Sequence, residues 1–225
     1  YHAHDFELNL SQEDYIERYP IQLYHFVTSH ADIKDKNVLE VGSGRGGGAS
    51  YIARYLSPSS ITGVDISNEA VALCSKFYDV PNLNFICADS ESLPFPDNSF
   101  DVLVNVESSH CYGSMDVFIA EVSRVLKPGG VFLFCDLRPE ERVQKTLDII
   151  AKSGLTLREQ KNITSNIITS TELMSENRKS KIAEMSLSKP MQKKFESFSC
   201  VKGSEMHNRF VTGVFQYISA YYVKE

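Results

Sequence analysis

From residue 37 to residue 137 the chain alternates short apolar runs with amphipathic segments, and this alternation constrains its fold more than any other feature. The runs lie at 38–41, 61–64, 83–87, 102–106 and 131–135 and are mostly unbroken by polar residues. Strands of that kind are covered on both faces, which is the condition of a parallel sheet whose crossovers are helices. Ala49, Ile52, Ala53 and Leu56 form one apolar helix face; Ala70, Val71, Cys74 and Phe77 form a second, and Phe118, Val122, Val125 and Leu126 a third. A further helix through Val143, Leu147, Ile150 and Ala151 should stop at Gly154. Residues 155–164 read as an edge strand, and 214–223, rich in aromatics, as a closing strand.

Two segments fall outside this alternation. Ser11 opens a helix signal that continues through Glu13, Asp14, Ile16, Tyr19, Leu23, Phe26 and Val27, with Pro20 expected to break it. The stretch 170–208 is polar and rich in Lys and Ser, with helical spacing around Ile182, Met185 and Leu187. The chain therefore divides into an N-terminal helical cover, 1–36, and a domain, 37–225, with a substrate-side insertion at about 165–210.

Composition removes several classes of function. A length of 225 residues suits one α/β domain, and 42% hydrophobic with 23% charged residues is the make-up of a folded globular chain. No stretch reaches the roughly 18 apolar residues of a membrane-spanning helix, so no integral membrane segment is expected. A net charge of −6 argues against a nucleic-acid partner. Lys179, Lys181, Lys189, Lys193 and Lys194 make a local basic stripe, read as a solvated face. Cys74, Cys87, Cys111, Cys135 and Cys200 show no metal-ligand spacing and are expected as buried, reduced thiols in the cytoplasm, with no metal bound.

The first strand runs into Glu40-Val41-Gly42-Ser43-Gly44-Arg45-Gly46-Gly47-Gly48 and then a helix. Glycines allow the tight turn and let backbone approach a ligand, while the amides of the helix start offer donors. This is a nucleotide-binding loop. Its spacing satisfies both the dinucleotide pattern, through Gly42, Gly44 and Gly47, and a tighter form through Gly42, Gly44 and Gly46. Asp65, closing the second strand, suits a ribose diol in either case.

Three further segments accompany the loop in order: Cys87-Ala88-Asp89, the stretch 93–101 (Leu-Pro-Phe-Pro-Asp-Asn-Ser-Phe-Asp), and Leu126-Lys127-Pro128-Gly129-Gly130. Together with Val38-Leu39-Glu40-Val41-Gly42 they strongly resemble the class I S-adenosylmethionine-dependent methyltransferases over about residues 37 to 137. The resemblance implies an α/β, Rossmann-like seven-stranded sheet with the last strand antiparallel, helices on both faces and a helical cover. It implies S-adenosyl-L-methionine as cofactor. Gly42, Ser43, Gly44 and Gly46 would lie under its methionine part and Glu40 would face its amino end. Asp65 would hold the ribose, Ile66 the adenine face, Asp89 with Ser90 the adenine edge, and Asn105 would line the cofactor at the end of the fourth strand.

The acceptor should sit at the segment Glu107-Ser108-Ser109-His110-Cys111-Tyr112, at the carboxyl edge of the sheet. It lacks the Pro-Pro-aromatic and Pro-Cys motifs of base-methylating enzymes and is similar, more loosely, to small-molecule enzymes such as phthiotriolone-type lipid O-methyltransferases and phosphoethanolamine methyltransferases. His110 is the candidate base, because imidazole titrates near neutrality, and Glu107 the second candidate. Tyr112, with Tyr15 and Tyr19 of the cover, is expected to contact the acceptor. The function expected is methyl transfer to the hydroxyl of a small molecule or lipid. Alternatives are an N- or C-methyltransferase acting on a phosphobase or sterol-like lipid, and a non-catalytic cofactor-binding subunit.

Overall fold

A computed structural model of the chain describes residues 1–2 and 8–225. Its seven strands are β1 (Asn37–Val41), β2 (Ser60–Asp65), β3 (Leu83–Cys87), β4 (Phe100–Val106), β5 (Leu126–Pro139), β6 (Leu155–Asn162) and β7 (Phe215–Lys224). They form one sheet in the order β3-β2-β1-β4-β5-β7-β6. The first five pair in parallel, and β7 runs antiparallel between β5 and β6. The expected sheet, including its reversed last strand, is what the chain adopts.

Helices α1 (Arg18–Thr28), α2 (Gly47–Tyr55), α3 (Asn68–Phe77), α4 (Met115–Val125) and α5 (Glu140–Ala151) cover the sheet. Alternation along each strand sends one set of side chains to each layer. Val38, Val102 and Val104 meet Phe26 and Val27 of α1 and Ile52 of α2 in one core. Leu39, Leu103, Phe132 and Phe134 meet Phe118, Val122 and Val125 of α4 in the other. Local chemistry sets the helix ends: Ser67 caps α3 by accepting from the Ala70 amide at 3.1 Å, Ser114 caps α4 through Val117, and Gly154 follows α5 with φ of 84°.

Two expectations are adjusted. The N-terminal helix is not broken at Pro20; a 3-10 turn (Asp14–Glu17) leads into α1, and Pro20 lies in the first turn of α1, where its missing N–H costs nothing. Residues 3–7 of the expected cover lie outside the described residues. The polar stretch before β7 is three helices, α6 (Thr164–Glu184), α7 (Lys189–Phe198) and α8 (Glu205–Val211). The buried face of α6 is built largely from Thr164, Ser170, Thr171 and Ser175, so apolar periodicity understated it. Of the cysteines, all free, Cys74, Cys135 and Cys200 are buried as expected, while Cys87 and Cys111 are exposed because they stand at the carboxyl edge of the sheet.

Candidate active site

Ligands on sheets of this kind bind where the strand order reverses, here between β1 and β4. A cavity of about 480 Å³ opens there, lined among others by Gly42, Gly44, Asp65, Ile66, Asp89, Ser90, Glu107 and Tyr112. Eight of the residues singled out in the sequence, from four strand ends, thus meet at one place.

The glycines act in different ways. Gly42, at φ of 79°, lies so close to the β4 loop that a Cβ would stand 1.7 Å from Ser108 Oγ. Gly44, at φ of 52°, has nothing within 4 Å of the Cβ position, because that position faces the cavity. Gly46 is set apart: its Cβ would strike the rings of Phe85 and Tyr78, so its role is packing against β3. Asp65 fixes the loop, accepting from the Gly44 amide at 2.8 Å and the Ser67 amide at 2.9 Å, with lone pairs left for a diol. Ile66 is 73% exposed, an apolar wall on the rim.

Behind the loop Glu40 is fully buried. Its Oε1 accepts from the Tyr24 hydroxyl at 2.6 Å, while Oε2 has no hydrogen-bond partner among the described residues. Burial pushes its carboxyl up to about 7 against the pull of Tyr24, and Asp65 adds to the rise. Gly48 makes the Tyr24 contact possible, since a Cβ there would lie 2.0 Å from the Tyr24 ring. Asn105 is buried too; its amide donates to Val41 O at 2.9 Å and Tyr112 Oη at 3.1 Å, tying the two strand ends together. Ser43 is buried beside them.

Glu107 leaves β4 at φ of 51°, a left-handed conformation that aims it into the cavity. Its side chain is exposed to that space, and desolvation by the surrounding protein, followed by the Asp136 charge, raises its carboxyl. His110 stands on the other side of Tyr112, in an adjoining cavity of about 640 Å³ that also holds Arg138, Arg142 and Lys145. Tyr112 and Gly113 line both spaces.

The geometry adds partners that the motif series did not contain. Asp136, at the carboxyl edge of β5 and fully buried, contacts His110 Nδ1 at 2.8 Å and its backbone amide at 2.9 Å. Asp136 also accepts from Ser109 Oγ at 2.7 Å and pairs with Arg138 at 2.9 Å. Burial alone would raise its carboxyl, but the His110 hydrogen bond and the Arg138 charge hold it below the usual range. In return the Asp136 hydrogen bond raises the imidazole pKa against the cost of burial. With Nδ1 donating to the acid, Nε2 is left as the acceptor nitrogen. An acid directly after an apolar strand is the signal that picked out Asp65, and it would have found Asp136.

Tyr15 and Tyr19 do not line either cavity. Tyr15 is exposed, with the Arg18 guanidinium 4.6 Å from its ring, and Tyr19 is buried under the same guanidinium at 4.5 Å.

The site accommodates S-adenosylmethionine. It offers a carboxylate for a ribose diol and an apolar wall with a second acid for adenine, and behind its glycine loop lies the buried Glu40 carboxylate, one oxygen of which has no hydrogen-bond partner among the described residues.

Comparison with known proteins agrees. Residues 39–134 match the family model described as a methyltransferase domain. The chain is 43% identical to the fatty-acid O-methyltransferase of Mycolicibacterium smegmatis, covering 72% of this chain and 60% of that one. It is 42% identical to a phthiotriol/phenolphthiotriol dimycocerosates methyltransferase of Mycobacterium ulcerans, over 74% of this chain and 61% of that one. The chain thus spans about three fifths of the length of these relatives. Among solved structures, geranyl diphosphate C-methyltransferase from Streptomyces coelicolor has the same fold, with TM-score 0.69 and 17% identity over 96% of this chain and 86% of that one. Residues 39–134 thus form a methyltransferase domain, and in motif order and sheet topology the chain has the features of the class I S-adenosylmethionine-dependent methyltransferases.

Proposed function

We propose that this chain transfers the methyl group of S-adenosylmethionine to a hydroxyl of a lipid acceptor, with His110 as general base and Asp136 as its positioning partner. The observation that carries the reading is the His110–Asp136 contact at the cavity that adjoins the donor space. S-adenosylmethionine, when bound, supplies an electrophilic methyl on a sulfonium that leaves as a neutral thioether. Asp65 and Asp89 hold the nucleoside end, and Gly42 and Gly44 leave room for the amino-acid end before Glu40. As the acceptor oxygen forms its bond to carbon, its proton passes to His110 Nε2, and Asp136 stabilises the imidazolium. Tyr112, held by Asn105 and Ser108, separates the donor cavity from the His110 cavity and orients what meets there.

A carboxyl acceptor is the second reading, favoured by Arg138, Arg142 and Lys145 around the His110 cavity. A carboxylate is already deprotonated, so its methylation would not depend on His110. An amine arriving as its ammonium, or a carbon acceptor, would also give up a proton to a base, so these alternatives are separated from the hydroxyl reading by the acceptor and not by the His110–Asp136 pair. No helix among the described residues is long and apolar enough to cross a membrane. A lipid acceptor, not nucleic acid, suits the acidic charge, and a reducing, cytoplasmic setting suits five free thiols. Labelled methyl transfer to a panel of long-chain alcohols, hydroxylated lipids and fatty acids tests the proposal. Product from the hydroxyl lipids that is lost in His110→Ala supports it; transfer to fatty acids alone overturns it.

A further inference from the structure

Basic residues are unevenly placed. Between Arg178 and Lys202 the sequence holds seven Lys or Arg against two Glu, in a chain whose net charge is −6. Helix α7 lies at the centre of that stretch, starts with Pro190 in its first turn, and buries none of its residues. Met191 and Phe198, seven residues apart, share one face of it, and Lys194 adjoins them. Phe198 is 88% exposed and Met191 43%, with Met185 exposed in the turn before. Lys193 and Lys194 line the groove between α7 and α8 with Phe198 and Met206; of the acids in that groove, Glu205 is bound by Arg209 at 2.7 Å and Glu196 by Gln192 at 3.3 Å. Lys189, Lys193 and Lys194 form no ion pair among the described residues.

An amphipathic helix with aromatic and Met residues on one side and lysines beside them has the chemistry of an element that lies in a lipid headgroup layer. A solvated face explains the lysines but not a phenylalanine left almost wholly in water. We propose that α7, with the turn before it, docks the protein on an anionic lipid surface, Phe198 and Met191 entering the headgroup layer and Lys189, Lys193 and Lys194 meeting its negative charge. Charge complementarity selects the occupant: this stretch is basic while the rest of the chain is acidic overall, so an anionic surface attracts this lobe and repels the remainder. The docking is independent of which atom the enzyme methylates.

Sedimentation of the protein with phosphatidylcholine vesicles, with and without phosphatidylglycerol, tests the proposal. Binding is expected only with phosphatidylglycerol and should weaken as salt rises. The exposed-face variants Lys193→Glu with Lys194→Glu, and separately Phe198→Ser, should lower vesicle affinity by about tenfold or more with unchanged thermal unfolding. Equal binding to both vesicle types, binding to neither, or unaltered binding of the variants overturns it. So does tight, salt-sensitive binding of RNA by the same lysines with no vesicle binding.

Discussion

His110 Nδ1 stands 2.8 Å from Asp136 Oδ1, and Asp136 in turn is fully buried and paired with Arg138. One buried acid therefore orients the imidazole, fixes which nitrogen is free, and makes that nitrogen more basic than in a free histidine.

His110→Ala should lower turnover by about 10²- to 10⁴-fold on a hydroxyl acceptor, with cofactor affinity unchanged because His110 lies outside the donor cavity. Asp136→Asn carries a further signature. The base works deprotonated, so the rate rises with pH through the imidazole pKa, and Asp136 raises that pKa. Removing the charge should shift the rising limb to lower pH while reducing the plateau. A pH–rate profile unchanged in position would show that Asp136 only supports the fold.

Asp65→Ala should weaken binding of S-adenosylmethionine by about 1–3 kcal/mol, because a charged acceptor is lost and the Gly44 amide it holds is freed. Calorimetry measures this directly. Binding of NAD in place of the sulfonium would sink the assignment of the loop.

The loop glycines should separate under substitution. Gly42→Ala drives a methyl group into Ser108 and should destabilise the protein as well as abolish cofactor binding. Gly44→Ala meets no protein atom, so it should cost only the about 1–2 kcal/mol of a left-handed alanine while still blocking the donor cavity. Thermal unfolding paired with calorimetry distinguishes them; equal destabilisation by both would contradict the geometry.

Glu40 binds its proton more tightly folded than unfolded, with its pKa raised from 4.5 to about 7. The unfolded chain therefore loses that proton first, and Glu40 subtracts stability as pH climbs through this window, by about 3 kcal/mol above it. Glu40→Gln should melt higher than the native protein at pH above 7 without cofactor, and should bind S-adenosylmethionine more weakly. Loss of stability in Glu40→Gln at that pH would mean the carboxylate has a partner that compensates its burial.

Much of this was legible in the chain and some was not, for physical reasons. The strands β1 to β5 follow from local pattern, because each carries an apolar run and the runs alternate with amphipathic helices. Asp65 and Glu107 were legible because each directly follows an apolar run, and Asp89 because it follows one with only Ala88 between. Asp136 has the same placement, but its importance lies in a contact with His110, 26 residues earlier, that local pattern does not carry. Tyr15, Tyr19 and Tyr24 lie close together in sequence, and only packing shows that Tyr24 alone of the three reaches the loop, through Glu40. Helix α6 hid because small hydroxyl side chains outnumber aliphatic ones on its buried face.

The placement of β7 between β5 and β6 bears on how the molecule is made. Residues 215–224 must be synthesised before β5 gains its outer neighbour or β6 any neighbour at all. Until then the nascent sheet holds β3-β2-β1-β4-β5 with the unpaired backbone of β5, including Phe132 and Phe134, along one side. The helices α6 to α8 emerge during that interval, since 52 residues lie between Asn162 at the end of β6 and Phe215 at the start of β7. The last strand thus acts as a clasp: chains cut short of Phe215 should collapse onto one another through the open side of β5 instead of folding.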